Sequence, residues 1–155
     1  MAEAANHLKV DHKSNEYKHN GSGIVSIAWH PGNWIQIGKQ GHSRPAIATY
    51  DDCTLLLHCY TSKQCWEFWV THLGGEKQAQ KYEIKMVSSR KDLPTSTTFQ
   101  GKVYGADTTT RSMITNDDMK DKDGVLEMSK SLMKKIGYMH EGKLKMPMTY
   151  ELIRK

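Results

Sequence analysis

Residues 54–73 read TLLLHCYTSKQCWEFWVTHL, and two features of this stretch decide the fold class. In its first part Leu55, Leu57 and Cys59 recur at every second position, the period at which an extended strand returns its side chains to one face. In residues 66–73 (WEFWVTHL) apolar side chains occupy both parities, the pattern of a strand covered on both faces in the middle of a sheet. A link of hairpin length joins the two.

The same texture extends in both directions. Upstream, residues 24–29 (IVSIAW) read as a strand stopped by His30-Pro31-Gly32-Asn33. Shorter candidates follow at 34–37, closed by Gly38 and Gly41, and at 46–50. Downstream, Gly74-Gly75 marks a turn and residues 76–80 suit one helical turn. Residues 82–87 then alternate, with Tyr82, Ile84 and Met86 inward and Glu83 and Lys85 outward. Residues 97–104 place Phe99, Gly101 and Val103 on one side, and residues 112–116 add a short extended segment. In the last strand, residues 143–153, Leu144, Met146, Met148, Tyr150 and Leu152 share one parity, and Pro147 takes the other. Proline has no N–H to give a ladder, so this strand is expected at an edge, or paired on one side only near Pro147.

One segment carries a helical period. Val125, Met128, Ser129, Leu132, Met133 and Ile136 recur at i, i+3, i+4, i+7 and i+8, with Asp121 or Asp123 as cap and Gly137 at the C′ position. The methionines here and beyond (Met128, Met133, Met139, Met146, Met148) read as core filling. The expectation is a mainly β fold: an antiparallel β-sandwich of seven or eight strands with one short helix near the C-terminus. It occupies residues 22–155, behind a flexible leader at residues 1–21 that shows no sustained periodicity.

Composition narrows the function classes. At 155 residues, 37% hydrophobic and 25% charged, the chain suits one domain with a sizeable core. No apolar run approaches the roughly 20 residues of a bilayer span, and the polar, His/Lys-rich start lacks the apolar region of a secretory signal. A cytoplasmic or nuclear setting is therefore expected, with no membrane partner. The net charge of +5 comes from lysines that alternate with acids or sit in loops, so it reads as a solvated surface. A basic sandwich that binds nucleic acid is the alternative.

Cys53, Cys59 and Cys65 are spaced by six, neither a zinc pattern nor a disulfide framework, and read as small buried hydrophobes. His7, His12 and His19 have separations of five and seven, which no single helix face accommodates, so no metal is expected there. Gly38-Lys39-Gln40-Gly41 and Gly74-Gly75-Glu76-Lys77 lack P-loop spacing. With Gly124 at the sixth loop position, the acidic stretch Asp117-Asp118, Asp121, Asp123 puts Met119 first and Lys130 twelfth, so it fails as a calcium loop. Asp51-Asp52 with His58 or His72 is the one acid/base grouping available to a hydrolase. Neither an enzyme nor a cofactor is expected.

Residues 65–86 (CWEFWVTHLGGEKQAQKYEIKM) carry Gly74, Gly75, Lys77, Gln78, Ala79 and Tyr82 between two strands. Further on come residues 113–117 (MITND), an amphipathic segment, the turn His140-Glu141-Gly142-Lys143-Leu144 and the alternating last strand. In this order the chain, over residues 54–153, resembles the substrate-binding domain of the seven-in-absentia (SINA) family. The resemblance implies a TRAF-like eight-stranded sandwich that holds partner peptides in extended form, that forms a homodimer and that works with ubiquitin-ligase components. Three cysteines cannot build that family's RING and paired zinc fingers, so the implied role is substrate recognition without ubiquitin transfer. Where the implied peptide groove meets a sheet edge, the groove candidates are Ile47, Thr49, Lys145 and Pro147, with Trp34 as an outlying anchor. Pro147 falls near a family position that carries a polar side chain, so a different peptide motif is expected.

Overall fold

The computed structural model describes residues 2–10, 15–29, 41–42, 45–61, 65–105 and 123–155. Trp34, the strand candidates at 34–37 and 112–116, and Asp117, Asp118 and Asp121 lie outside them. The order is α1 (Ala2–Val10), β1 (Glu16–Lys18), β2 (Ile24–Trp29), β3 (Gly41–His42), β4 (Ala46–Thr49), β5 (Thr54–Thr61), β6 (Cys65–His72) and α2 (Glu76–Ala79). Then follow β7 (Tyr82–Ser89), β8 (Ser96–Lys102), β9 (Tyr104–Gly105), β10 (Leu126–Ser129), α3 (Lys130–Ile136), β11 (Tyr138–His140) and β12 (Lys143–Arg154). The fold is mainly β, in two sheets.

The first sheet runs β1-β4-β5-β6-β10, with β3 beside β5 and β9 beside β6; the second runs β11-β12-β7-β8, with β2 also on β12. Their inner faces share one hydrophobic cluster. Ala48, Leu55, Leu57, Cys59, Trp66, Phe68 and Val70 come from the first sheet, and Val25, Trp29, Ile84, Met86, Met148 and Tyr150 from the second. The alternation in residues 55–59 and 82–86 is thus what aims these side chains inward.

β6 is covered on both faces, as its two-sided apolar pattern requires. It pairs with β5 on one side and with β10 and, at its end, β9 in the rest of the sheet. Trp66, Phe68 and Val70 join the main core, and Trp69 joins a smaller cluster with Tyr60, Tyr104 and Val125 on the outer face.

The antiparallel expectation needs correction in two places: β1 pairs with β4 and β9 pairs with β6 in parallel. Among the described residues eight strands have four or more residues, and four others have two or three. Such short strands are invisible to a period-two search, which needs about four residues to register.

The helical period over residues 125–136 is also corrected. Leu126–Ser129 is strand β10, paired in register with β6 through Leu126↔Phe68 and Met128↔Trp66. Only Lys130–Ile136 is helical. Leu126 and Met128 fit both periods, and the ladder offered by β6 decides between them. The cap is accordingly Ser129, whose Oγ accepts from the Leu132 N–H at 3.2 Å, and Gly137 is extended (φ −62°) rather than left-handed. Of the five methionines, four are buried and Met139 is 66% exposed.

β12 is not an edge. β2 pairs with it over residues 146–151 and β7 over residues 149–154. Pro147 lies opposite Ala28 on the β2 side, where the ladder with β7 has not yet begun. Its carbonyl accepts from Ser88 Oγ at 2.6 Å. A residue's N–H and C=O leave a strand on the same side, so the missing donor faces a gap in the β7 ladder. This is the one-sided pairing that the proline demands.

Candidate functional site

β4 is held between β5 and β1. Its ladder with β5 runs Ala46↔Leu57 to Thr49↔Thr54, and alternation then turns Ala46 and Ala48 into the core. Ile47 and Thr49 take the other parity. On the far side lies β1, parallel, with Glu16↔Ile47, Tyr17↔Ala48 and Lys18↔Thr49.

In a parallel ladder alternate residues of a strand direct both main-chain groups to one neighbour. On β4 those residues are Ile47 and Thr49. The Ile47 N–H donates to the Asn15 carbonyl at 2.8 Å, and the His19 N–H donates to the Thr49 carbonyl at 3.1 Å. β1 lies within the stretch read as a leader, and its three residues are too few to show a period.

Side chains reinforce this docking. Thr49 Oγ1 donates to Glu16 Oε1 at 3.0 Å, and Lys9, in the last turn of α1, donates to Glu16 Oε2 at 3.0 Å. Those two bonds, the one from Lys9 first, hold the Glu16 carboxyl below its ordinary pKa. Tyr17, half-buried, packs against the main core. His19 Nε2 lies 2.8 Å from Asp51 Oδ1, and its ring stacks on Tyr50 with centroids 6.1 Å apart and planes 10° from parallel.

The expected peptide contacts divide between the sheets. Ile47 and Thr49 stand on β4 of the first sheet, Lys145 and Pro147 on β12 of the second, and no ladder joins the two strands. Ile47 is wholly buried, so it meets a neighbouring segment through its main chain. Lys145 lies opposite Tyr138 in the β11–β12 hairpin, whose two linking residues, Glu141 and Gly142, have φ of 52° and 75°, as a tight two-residue turn requires. Trp34 lies outside the described residues. Sequence reasoning missed Glu16 and Tyr17, and weighed His19 only as a metal ligand and Asp51 only as part of an acid/base grouping. The only local signal was a lone aromatic among polar residues.

The acid/base grouping is placed differently from a catalytic pair. Asp52 Oδ2 accepts from Tyr82 O–H at 3.1 Å and from Arg154 Nε at 3.1 Å, and Asp52 Oδ1 accepts from Arg154 Nη2. Arg154, then Tyr82, hold the Asp52 carboxyl below its usual range despite partial desolvation. This set ties the β4–β5 turn to the end of β12. His72 is buried, stacks on Tyr82, and accepts from the Gly74 N–H at Nδ1 (2.7 Å). Desolvation pushes its pKa down. His58 lies on the opposite face of the first sheet, stacked on Trp69 at 5.1 Å, with Nε2 2.9 Å from Thr71 Oγ1. Burial, then the Asp52 charge, pushes the Cys53 thiol up to about 11, which keeps it protonated and unreactive at neutral pH.

Among the described residues no group of three or more His, Cys, Asp or Glu is placed to hold a metal ion, and no helix is long and apolar enough to cross a membrane. Neither the scan against protein-family models nor the search of curated proteins finds a match for this sequence.

Proposed function

We propose that this chain is a protein-interaction module, a TRAF-like sandwich of the SINA substrate-binding kind, that receives an extended segment of a partner protein along a sheet edge and has no catalytic centre of its own. The supporting observation is the docking of β1 on β4. A short, polar, extended segment is held there by main-chain bonds to Ile47 and Thr49, which is how strand addition binds peptides. Affinity in that mode comes from the backbone, and selectivity comes from the alternate side chains. The partners are protein substrates, with ubiquitin-ligase components and a second copy of the chain as further candidates. Asp52 and His72 do not argue for hydrolysis: Asp52 is engaged by Arg154 and Tyr82, and His72 by the Gly74 N–H and the Tyr82 ring.

The test is selection of displayed, unstructured peptides against the full chain, followed by amide chemical-shift mapping of those retained. Retained peptides should move the amides of strand residues, those at 47–51 above all. Failure to retain any peptide, or retention without a shift in any strand amide, refutes the proposal.

A further inference from the structure

The residues that hold β1 define a ligand chemistry. Position 16 requires an acceptor that reaches the Thr49 hydroxyl, and the Glu16 carboxylate supplies it. Position 17 turns inward with Ala48 and packs an aromatic ring against the core. Position 18 is exposed, and in a parallel ladder its main-chain groups face away from β4, so it sets no requirement. Position 19 meets an acid and an aromatic face together, Asp51 and Tyr50, and an imidazole satisfies both. The parallel ladder with β4, flanked by the bonds of Ile47 N–H to the Asn15 carbonyl and of His19 N–H to the Thr49 carbonyl, sets direction and register.

The same segment lies at the margin of the fold, held by side-chain contacts and a short ladder. Its ladder spans three residues on the margin of the sheet, and Glu16 and Lys18 are exposed. It joins β2 through a turn in which Gly21 and Gly23 have φ of 89° and 74°, with open space around both. Short, marginal ladders of this kind occupy the low end of local opening free energies.

We infer that the β4 edge is a binding site for extended segments of the pattern acid–aromatic–any–histidine, laid parallel to β4, and that residues 15–20 of the chain are its resident occupant. This rests on the strand-addition reading above and adds the ligand class and its regulation. A tethered segment competes at an effective concentration of about millimolar. The free site is therefore masked until a partner outcompetes the tether or the tether is weakened. A partner with the same pattern binds in place of residues 15–20, and release of α1 and β1 accompanies its binding.

The experiment uses the full chain and a labelled, end-blocked peptide of residues 15–20 (NEYKHN), read by fluorescence anisotropy. The Tyr17→Ala/His19→Ala double variant should bind this peptide about tenfold or more tighter than the wild-type chain, because its own tether competes less. The peptide with Glu16→Lys or Tyr17→Ala should lose most of that binding, and Asp51→Asn in the chain should weaken it. Amide spectra of the variant establish that it is folded. If it is not, Glu16→Gln in the chain replaces it, with a smaller gain expected. Equal affinity of folded variant and wild type, or equal binding of the Glu16→Lys peptide, overturns the inference. Selected peptides that map to another edge, such as β8, while NEYKHN stays silent, leave the module reading standing and remove only this site. If no peptide binds at all, both fall.

Discussion

Tyr150 offers the sharpest test of how the two sheets are fastened. It is wholly buried at the centre of β12, opposite Val25 of β2 and Met86 of β7. Its hydroxyl accepts from Trp29 Nε1 at 2.9 Å, and its carbonyl accepts from the Tyr50 hydroxyl at 2.9 Å, a bond that crosses from one sheet to the other. Tyr150→Phe keeps the ring and its packing but removes the indole's acceptor. Trp29 is 4% exposed, so water does not readily replace the lost partner, and a buried orphaned donor costs about 1–3 kcal/mol. A loss near 2 kcal/mol lowers the urea midpoint by roughly 1 M and Tm by about 4–8 °C for a domain of this size. Equilibrium urea unfolding of wild type, Tyr150→Phe, Trp29→Phe and the double variant measures it. The double variant should lose less than the sum of the singles by at least about 0.5 kcal/mol, because removing both groups leaves no orphan. A Tyr150→Phe loss below about 0.5 kcal/mol, or strict additivity, would refute the assignment of this bond as a core constraint.

Two other perturbations follow from the packing. Gly124→Ala puts a Cβ 2.4 Å from the Lys102 carbonyl oxygen and 2.7 Å from the Tyr104 ring, an overpacking that should cost about 1–3 kcal/mol in thermal melts. For His72, burial lowers the pKa below its unfolded value, with Asp52 opposing that shift and Lys81 assisting it. The unfolded chain then takes up the proton first as pH falls. The contribution of His72 is complete above the unfolded pKa of about 6.5 and is lost progressively below it. His72→Asn, whose Oδ1 can accept from the Gly74 N–H in place of Nδ1, should flatten the stability profile between about pH 7 and 5; an unchanged slope in urea titrations at each pH would remove His72 as its source.

The readings that held came from long, strongly periodic segments. Leu55, Leu57 and Cys59, and Tyr82, Ile84 and Met86, point into the core as their alternation dictates, because one face of a sheet must leave water. Residues 126–129 went the other way. Leu126 and Met128 satisfy a helix and a strand alike, and the choice depends on β6, some sixty residues earlier in the chain, offering a ladder. Ile47 and Thr49 were reached through a resemblance, and the structure engages their main chains with a segment of the protein itself.

In the long strands, period and burial were therefore determined by sequence alone: which parity is apolar, and where proline bars a ladder. Tertiary structure alone decided the rest. It paired Glu16–Lys18 with β4, set Asp52 against Arg154 across about a hundred residues, and placed Pro147 beside a gap in its ladder. The physical reason is range. Side-chain alternation is a property of neighbours along the chain, whereas a ladder partner or an ion-pair partner is chosen only when distant segments meet, and a three-residue strand has no pattern of its own until its neighbour supplies one.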